Sequence, residues 1–245
     1  MMSTMNYTFE AIGHIESPFK EKFGIPRQSQ LVPEARSILR LRPSMRDALT
    51  GLEGFSHVWV LFVFHDNMTA GWNPLVRPPR LGGTRKMGVF ATRAPHRPNP
   101  IGMSLVRIDR VDHKADPPAI HISGGDFLDG TPVLDLKPHL PDSDRAAGEV
   151  RTGWLEEAPR KPPLEVEVTA AAHAILEHLA AEGYPELEVL LTSMLRLDPR
   201  PAFQQGEDAR YAARVLDFDI HWEMRGTVCR VFEIRDLRDE SETAS

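Results

Sequence analysis

The segment His57-Val-Trp-Val-Leu-Phe-Val-Phe64 is the stretch from which the fold of this chain is predicted. It is a short, continuous apolar run that is rich in β-branched and aromatic residues, and Gly51 and Gly54 precede it. A run of this length and composition indicates a strand that is buried on both faces. The segment therefore predicts a β-rich region around it.

Further short strands are predicted on both sides of this segment. They are Phe9 to His14, Arg36 to Leu41, Met87 to Thr92, Ser104 to Val111, Ala119 to Ser123 and Pro132 to Leu136. Turns that contain glycine or proline separate them. Many short strands with such turns are typical of a β-barrel or a β-sandwich. We therefore expect an N-terminal β-domain over residues 7–141.

A smaller second domain is predicted after a polar, proline-bearing linker over residues 141–163. Its elements are two amphipathic helices, Ala170 to Ala181 and Pro185 to Leu197, and two strands, Ala212 to Glu223 and Thr227 to Ile234. Helices followed by strands indicate an α+β domain, here over residues 164–236. The expected fold class is therefore mainly β, with a small N-terminal barrel or sandwich and a smaller C-terminal α+β domain.

The composition limits the class of protein. Apolar residues make up 41% and charged residues 26% of the 245-residue chain, as in ordinary globular proteins. Cys229 is the only cysteine, which excludes an intramolecular disulfide and a thiolate zinc cluster. No apolar run is long enough to span a bilayer, and the start of the chain lacks the apolar stretch of a signal peptide. These features predict a cytoplasmic protein with no membrane segment.

A basic stretch runs from Trp72 to Arg110. It contains eight Lys or Arg residues and one acidic residue, whereas the whole chain has a formal net charge of −6. Prolines and glycines interrupt it every few residues, so no helix runs through it and its arginines are presented from a loop. Such a loop favours an anionic ligand. The alternative is a solvated loop whose cations pair with the acidic remainder.

Polar segments elsewhere allow two interpretations each. His65-Asp66 ends the apolar strand, where it either lines a pocket mouth or caps the strand end, since a metal site would need more converging His and Asp ligands. Asp129-Gly130 is a hairpin signal within a carboxylate-rich turn, which is either only a turn or faces a cation or the polar edge of a ligand. No Gly-x-Gly-x-x-Gly follows a strand and no phosphate-cradling Gly-Lys-Ser/Thr loop is present, so a Rossmann site is not expected.

Two proline-fixed loops carry arginines with a possible binding role. Pro26-Arg-Gln28 suits planar recognition of a base or a carboxylate, unless it is a plain surface loop. Asp198-Pro-Arg-Pro-Ala-Phe203 follows the second C-terminal helix and stops it. We expect Arg200 and Phe203 to be exposed there, where they either contact RNA by phosphate pairing and stacking or belong to a rigid connector.

Taken together, these and other segments resemble one family. The segments are Ile12-Gly-His-Ile-Glu-Ser-Pro18, Pro26-Arg-Gln28, Gly51-Leu-Glu-Gly-Phe-Ser-His57, His65, Arg77-Pro-Pro-Arg80, Gly88-Val-Phe-Ala-Thr-Arg93, Arg97-Pro-Asn-Pro-Ile-Gly102, Asp129-Gly-Thr-Pro132, Asp135-Leu-Lys-Pro138 and Asp198-Pro-Arg-Pro201. On these residues the chain resembles the tRNA threonylcarbamoyladenosine N6-methyltransferase family, also called TsaA-like, YaeB-like or TrmO proteins. The resemblance covers residues 7–235.

The resemblance implies an enzyme that depends on S-adenosylmethionine and is built on a small β-barrel rather than a Rossmann sheet. Members of the family are homodimers whose cofactor pocket lies near the subunit interface. They methylate N6 of threonylcarbamoyladenosine at position 37, beside the anticodon of threonine tRNA. No metal is implied, and the C-terminal domain is expected to assist in holding the tRNA.

Cofactor contacts carried over from the family fall on three segments and two further residues. They are Pro26, Arg27, Gln28, His65, Asp66, Arg93, Leu105, Leu128, Asp129, Gly130 and Thr131. S-adenosylmethionine has no phosphate, which agrees with the missing phosphate loop. Arg27 or Arg93 is expected to pair with the carboxylate of its amino-acid tail.

The basic loop is expected to serve the tRNA substrate. The candidate residues are Arg77, Arg80, Arg85, Lys86, Arg97 and Asn99, with Arg200 in the C-terminal domain. The threonylcarbamoyl group offers them a carboxylate and the anticodon stem offers phosphates. The sequence does not identify the group that removes the N6 proton, for which Asp129 and a bound water are the candidates.

Two other functions compete with this interpretation. A methyltransferase of a small molecule on the same barrel would not need the basic stretch. A noncatalytic RNA-binding protein on the same barrel would not bind the cofactor. The complete Arg-Pro-Asn-Pro-Ile-Gly and Asp-Gly-Thr-Pro motifs favour an active enzyme.

Overall fold

The computed structural model describes residues 5–159, 161–201 and 209–238, and this part of the chain is mainly β. The strands are β1 (Gly13–Glu16), β2 (Arg36–Leu41), β3 (His57–Val63), β4 (Leu75–Val76), β5 (Met87–Gly88), β6 (Ile101–Asp112), β7 (Ala119–Ser123), β8 (Pro132–Pro138), β9 (Glu165–Val168), β10 (Arg210–Val215), β11 (Phe218–Arg225) and β12 (Val228–Asp236). The helices are α1 (Ala170–Ala181) and α2 (Leu187–Arg196). The predicted fold class is confirmed.

Six strands close into an antiparallel barrel in the order β1-β2-β7-β6-β3-β8. Along β3 the burial alternates, because Val58, Val60 and Phe62 point into the barrel core while the residues between them are half-buried. The expectation that β3 is buried on both faces is therefore wrong. A closed barrel has one inner face, and its outer face is only partly covered by loops.

The C-terminal unit is a four-stranded sheet, β10-β11-β12-β9, with both helices in its hydrophobic core. Strand β9 runs parallel to β12, so that the chain crosses over the sheet through α1 and α2. Thr169 caps α1 by accepting a hydrogen bond from the Ala172 amide. The helices bury a leucine-rich stripe, including Leu190 and Met194, against Trp222 and its neighbours.

The segment between β1 and β2 joins the two units. Phe19 and Val32 belong to the same hydrophobic cluster as the C-terminal helices. The ring of Phe23 stacks on Trp222 with centroids 5.7 Å apart and an interplanar angle of 4°. The Leu216 amide donates to the Pro18 carbonyl at 2.7 Å. The loop at residues 26–28 is consequently held between the barrel and the C-terminal sheet.

Several predicted boundaries differ from the structure. The first strand begins at Gly13 rather than Phe9, and the predicted strand from Met87 to Thr92 is the two-residue β5 followed by a 3-10 turn. The predicted strand from Ala212 to Glu223 is wrong, because a tight turn at Leu216, with a φ of 54°, divides it into β10 and β11. In the described ranges, neither helix is long and apolar enough to cross a bilayer.

Candidate functional site

A cavity of about 580 Å³ opens where β3 ends and β6 begins. Phe62 and Phe64 supply aromatic walls, and Gly102 and Ser104 line it from β6. The Phe64 amide donates to the Pro100 carbonyl at 2.8 Å, which keeps the two strand ends together. Gly102 leaves room for a ring, since a Cβ there would lie 2.2 Å from the Phe62 ring. The size and the mixed lining suit a small organic ligand with an aromatic part.

The predicted cofactor loop forms one side of this cavity. Pro26, Arg27 and Gln28 all line it, and the Arg93 guanidinium donates to the Gln28 side-chain oxygen at 2.9 Å. Arg27 donates to the carbonyl of Arg200 at 2.9 Å and to that of Asp198 at 3.4 Å. Burial lowers the pKa of Arg27, and the Asp198 carboxylate opposes that shift. The Arg27 guanidinium, which lines the cavity, is thus oriented by two backbone carbonyls of the C-terminal unit.

Arg200 is buried, so the expectation that it is exposed is wrong. The residue is only 3% exposed, and its side chain donates two hydrogen bonds to the Asp198 carboxylate, at 2.7 and 3.1 Å. Asp198 has a φ of 52° at the end of α2, and this left-handed residue turns the chain back towards the core. The position of Arg200 makes it a support for Arg27 rather than a surface cation. Phe203, expected beside it, lies outside the described residues.

His65 and Asp66 line the cavity at its rim, beside Lys22. The His65 ring nitrogen lies 3.6 Å from the Asp66 carboxylate, and the Lys22 ammonium lies 3.6 Å from the same group. These side chains are partly exposed, so the pairs stabilise the rim only weakly. No group of three or more His, Cys, Asp or Glu residues within the described ranges could hold a metal ion.

The turn over residues 128–131 contributes two of its four residues to the cavity. Leu128 and Thr131 line it, and the Thr131 hydroxyl donates to the Leu128 carbonyl at 2.6 Å. Asp129 is directed elsewhere, because its carboxylate accepts from the Ser17 amide at 2.7 Å and pairs with Lys20 at 2.9 Å. Gly130 adjoins Asp129 outside the cavity lining, and Leu105 is half-buried on β6, also away from it. Their contacts with the cofactor stay predictions.

Two further cavity residues are Asp126, which begins the carboxylate-rich turn, and Ser104; the family motifs assign neither of them to the cofactor. The Ser104 hydroxyl donates to the Asp126 carboxylate at 2.5 Å, and Ser104 itself is buried. Burial raises the pKa of Asp126, while the Ser104 hydrogen bond opposes that shift. The alternation along β6 could have placed Ser104 inside the barrel. The proximity of Asp126 required knowing that β6 and β7 are neighbours.

The basic loop borders the cavity. Arg93, His96 and Arg97 line it, and Arg97 donates to the carbonyls of Thr92 and Ala94 at 2.9 and 3.3 Å. Further out, the exposed members are Arg77, Arg80, Arg85, Lys86 and Asn99. The predicted substrate residues are therefore exposed on the basic loop, except for Arg97, which lines the cavity, and Arg200, which is buried.

The linker between the two units contacts the basic loop at two places. Glu157 accepts a hydrogen bond from Arg85 at 2.5 Å, and the Trp154 ring nitrogen donates to the Ala91 carbonyl at 2.8 Å. Arg85 and Glu157 are both largely exposed, so the pair is open to competition by other anions. The linker thus holds one cation of the basic loop in place.

Comparisons with known proteins agree with this geometry. The family model for the tRNA-methyltransferase O N-terminal domain matches residues 14–145, and that for the TrmO C-terminal domain matches residues 161–237. The chain is 43% identical over 234 residues to the tRNA (adenine(37)-N6)-methyltransferase of Escherichia coli K12, covering 94% of this chain and 98% of that protein.

Comparisons with Pseudomonas aeruginosa give similar matches in sequence and in structure. The chain is 44% identical over 235 residues to a putative S-adenosylmethionine-dependent methyltransferase, RcsF, with 94% of this chain and 98% of that protein covered. The crystal structure of TrmO from that organism superposes with a TM-score of 0.77 at 38% identity. That superposition covers 96% of this chain and all of the other chain.

Proposed function

The chain belongs to the tRNA-methyltransferase O family, and from this premise we propose that it transfers the methyl group of S-adenosylmethionine to N6 of adenosine 37 in tRNA. One observation supports this most directly. Eight of the eleven residues that the family motifs assign to the cofactor line one cavity of the barrel. The eight residues are Pro26, Arg27, Gln28, His65, Asp66, Arg93, Leu128 and Thr131.

The lining of the cavity fits the chemical parts of S-adenosylmethionine. Bound there, this cofactor would supply an electrophilic methyl group on a sulfonium. Phe62 and Phe64 offer flat apolar surfaces for the adenine, and Arg27 or Arg93 can pair with the tail carboxylate. Asp66 places negative charge at the rim, where a cationic ligand would lie. The barrel acts by holding the two reactants at attack distance, which can remove about 7–11 kcal/mol of a barrier.

The substrate that we propose is threonylcarbamoyladenosine in threonine tRNA, and the proposed location is the cytoplasm, where such a tRNA is modified. The exposed cations Arg77, Arg80, Arg85 and Lys86 support an RNA substrate, because phosphate contacts dominate the affinity of proteins for nucleic acids. Arg97 lines the cavity itself, and we propose that it pairs with the threonylcarbamoyl carboxylate.

We also propose that the protein acts as a homodimer. Large apolar side chains are exposed around the cavity mouth and the adjoining loop: Met68, Trp72, Leu75, Phe90, Ile101 and Met103. Exposed apolar residues in such number at one site favour a protein interface over water. A second copy of this chain would cover them and enclose the cavity.

The proposed function is tested by methyl transfer from labelled S-adenosylmethionine to tRNA from a strain that lacks this protein. Nucleosides are resolved by mass spectrometry, with threonylcarbamoyl-free tRNA in parallel. Methylated threonylcarbamoyladenosine in the first sample alone is the expected result. Cofactor binding without transfer to either tRNA would favour a small-molecule methyltransferase, and the absence of binding would favour a noncatalytic RNA-binding protein.

Replacing Arg85 with alanine is expected to weaken tRNA binding, because the variant loses one phosphate contact. The slope of log K against log salt should fall by about one. Glu157→Gln should have the opposite effect on affinity, since it frees the Arg85 guanidinium for phosphate. Binding is measured by filter retention from low to high salt.

The control for these variants is Lys114→Ala. Lys114 is exposed in the turn after β6, at the far end of that strand from the cavity. The Lys114→Ala substitution removes one positive charge, as Arg85→Ala does, and should leave the slope of log K against log salt unchanged. Equal effects of Arg85→Ala and Lys114→Ala would contradict a specific role for Arg85.

A further inference from the structure

Asp126 lies in the cavity wall in a position that the protein fixes on several sides. Its neighbour Phe127 is buried in the barrel core and packs edge-on against Phe62, with ring centroids 5.1 Å apart. The Gly124 amide donates to the Ala35 carbonyl at 3.0 Å, which anchors the backbone on the other side of Asp126. The Ser104 hydroxyl then holds one carboxylate oxygen at 2.5 Å. A carboxylate held in this way is preorganised.

The other carboxylates near the cavity are already engaged. Asp129 uses both oxygens, with the Ser17 amide and the Lys20 ammonium, and does not line the cavity. Asp66 is half exposed at the rim and lies within 3.6 Å of both His65 and Lys22. Within the described residues, Asp126 is the cavity carboxylate that carries no salt bridge. Arg93, which lines the same cavity, lowers the pKa of Asp126 by its charge, but burial is the larger effect and raises it.

We propose that Asp126 accepts the N6 proton of the adenosine during methyl transfer, an inference that rests on the proposed function. The lone pair of N6 is delocalised into the purine and the carbamoyl group, so the nitrogen becomes a useful nucleophile only as its proton leaves. Asp126 takes that proton while N6 forms the bond to the methyl carbon. The electron pair of the breaking carbon–sulfur bond stays on sulfur.

The charges balance in this step. The carboxylate anion becomes a neutral acid and the sulfonium becomes a neutral thioether, so the cavity loses two opposite charges at once. Such mutual neutralisation is favourable in a partly desolvated site. The raised pKa of Asp126, caused mainly by burial, makes it a stronger base than an exposed carboxylate. Ser104 acts as a positioning residue that directs the carboxylate.

The test compares the wild type with Asp126→Asn in single-turnover methyl transfer to tRNA, with both substrates saturating, between pH 5 and 9. Cofactor affinity is measured separately by calorimetry. We expect Asp126→Asn to keep the dissociation constant of the cofactor within about threefold while the rate falls by about 10²–10⁴-fold. The wild-type rate should fall as Asp126 becomes protonated in acid, and the variant should lose that dependence.

Two further variants keep the proposal falsifiable. Asp126→Glu retains a carboxylate and should recover part of the rate, which a purely structural role would not predict. Asp109→Asn is the matched control, because Asp109 also accepts a serine hydrogen bond, from Ser123 at 3.0 Å, but lies outside the cavity. Its rate and pH profile should match the wild type.

Each outcome has one meaning. An Asp126→Asn variant with an unchanged saturated rate and weakened cofactor binding would make Asp126 a cofactor ligand and overturn the proposal. An unchanged rate with unchanged binding would overturn it as well. If the wild type itself methylates no tRNA, the proposed function fails and this inference fails with it. Failure of the proposed function is distinguished from failure of this inference because it is seen with the wild-type protein alone.

Discussion

Replacing Arg200 with alanine is expected to lower the free energy of unfolding by about 3–5 kcal/mol, because the Asp198 carboxylate loses its salt-bridge partner in a largely buried site. The loop that carries the carbonyls of Asp198 and Arg200 should also lose its fixed geometry. Since Arg27 donates to both carbonyls, the dissociation constant of the cofactor should rise about tenfold. Urea unfolding and calorimetry measure the two effects.

The control for this variant is Arg196→Ala in the last turn of α2. Arg196 is exposed, so its loss should change stability by less than about 0.5 kcal/mol. The double variant Arg200→Ala with Asp198→Asn should be more stable than Arg200→Ala alone, because it removes the unpaired charge. Superimposable unfolding curves for Arg200→Ala and the wild type would show that the pair does not support the fold.

Replacing Gly102 with alanine should both destabilise the barrel and abolish most cofactor binding. A Cβ at Gly102 would lie 2.2 to 2.7 Å from three atoms of the Phe62 ring. That ring cannot simply swing aside, since it packs edge-on against Phe64 and Phe127 with centroid distances of 5.1 Å. Overpacking of this kind costs about 1–3 kcal/mol. Any relief moves the ring into the cavity, so we expect at least a tenfold loss of cofactor affinity by calorimetry.

A second substitution tests whether the ring is the cause. Phe62→Leu in the Gly102→Ala background should restore part of the affinity, because leucine leaves room for the added methyl group. Gly54→Ala is the matched control, since nothing lies within 4 Å of a Cβ at that position. Full cofactor binding by Gly102→Ala would mean that the cavity wall is more deformable than its packing implies.

Much of the barrel could be predicted from local pattern. The segments Arg36–Leu41 and Ala119–Ser123 are strands at the expected residues, and α1 is a helix from Ala170 to Ala181, because each has a periodicity that its burial requires. The division of the predicted strand Ala212 to Glu223 at Leu216 could not be predicted from that pattern. A non-glycine residue with positive φ leaves no periodic signal, and the apolar alternation continues on both sides of the turn.

The residues that line the cavity could be predicted from the sequence only where they belong to a family motif. Loop 26–28, His65 and Arg93 carry recognisable motifs, and the structure gathers them around one cavity. Asp126 and the burial of Arg200 depend on contacts between distant segments. The Arg27–Arg200 hydrogen bond, for example, spans 173 residues of sequence. Local periodicity says nothing about such pairs.

The separation of Arg27 and Arg200 in the sequence has a consequence for folding during synthesis on the ribosome. Strand β8 ends at Pro138, so all six barrel strands are synthesised before Asp198 and Arg200. Domains generally fold as units during synthesis, with the N-terminal one first. The nascent barrel would therefore form without the anchor for Arg27. Arg27 therefore gains its backbone anchor only near the end of translation, and a chain truncated before Asp198 would lack it.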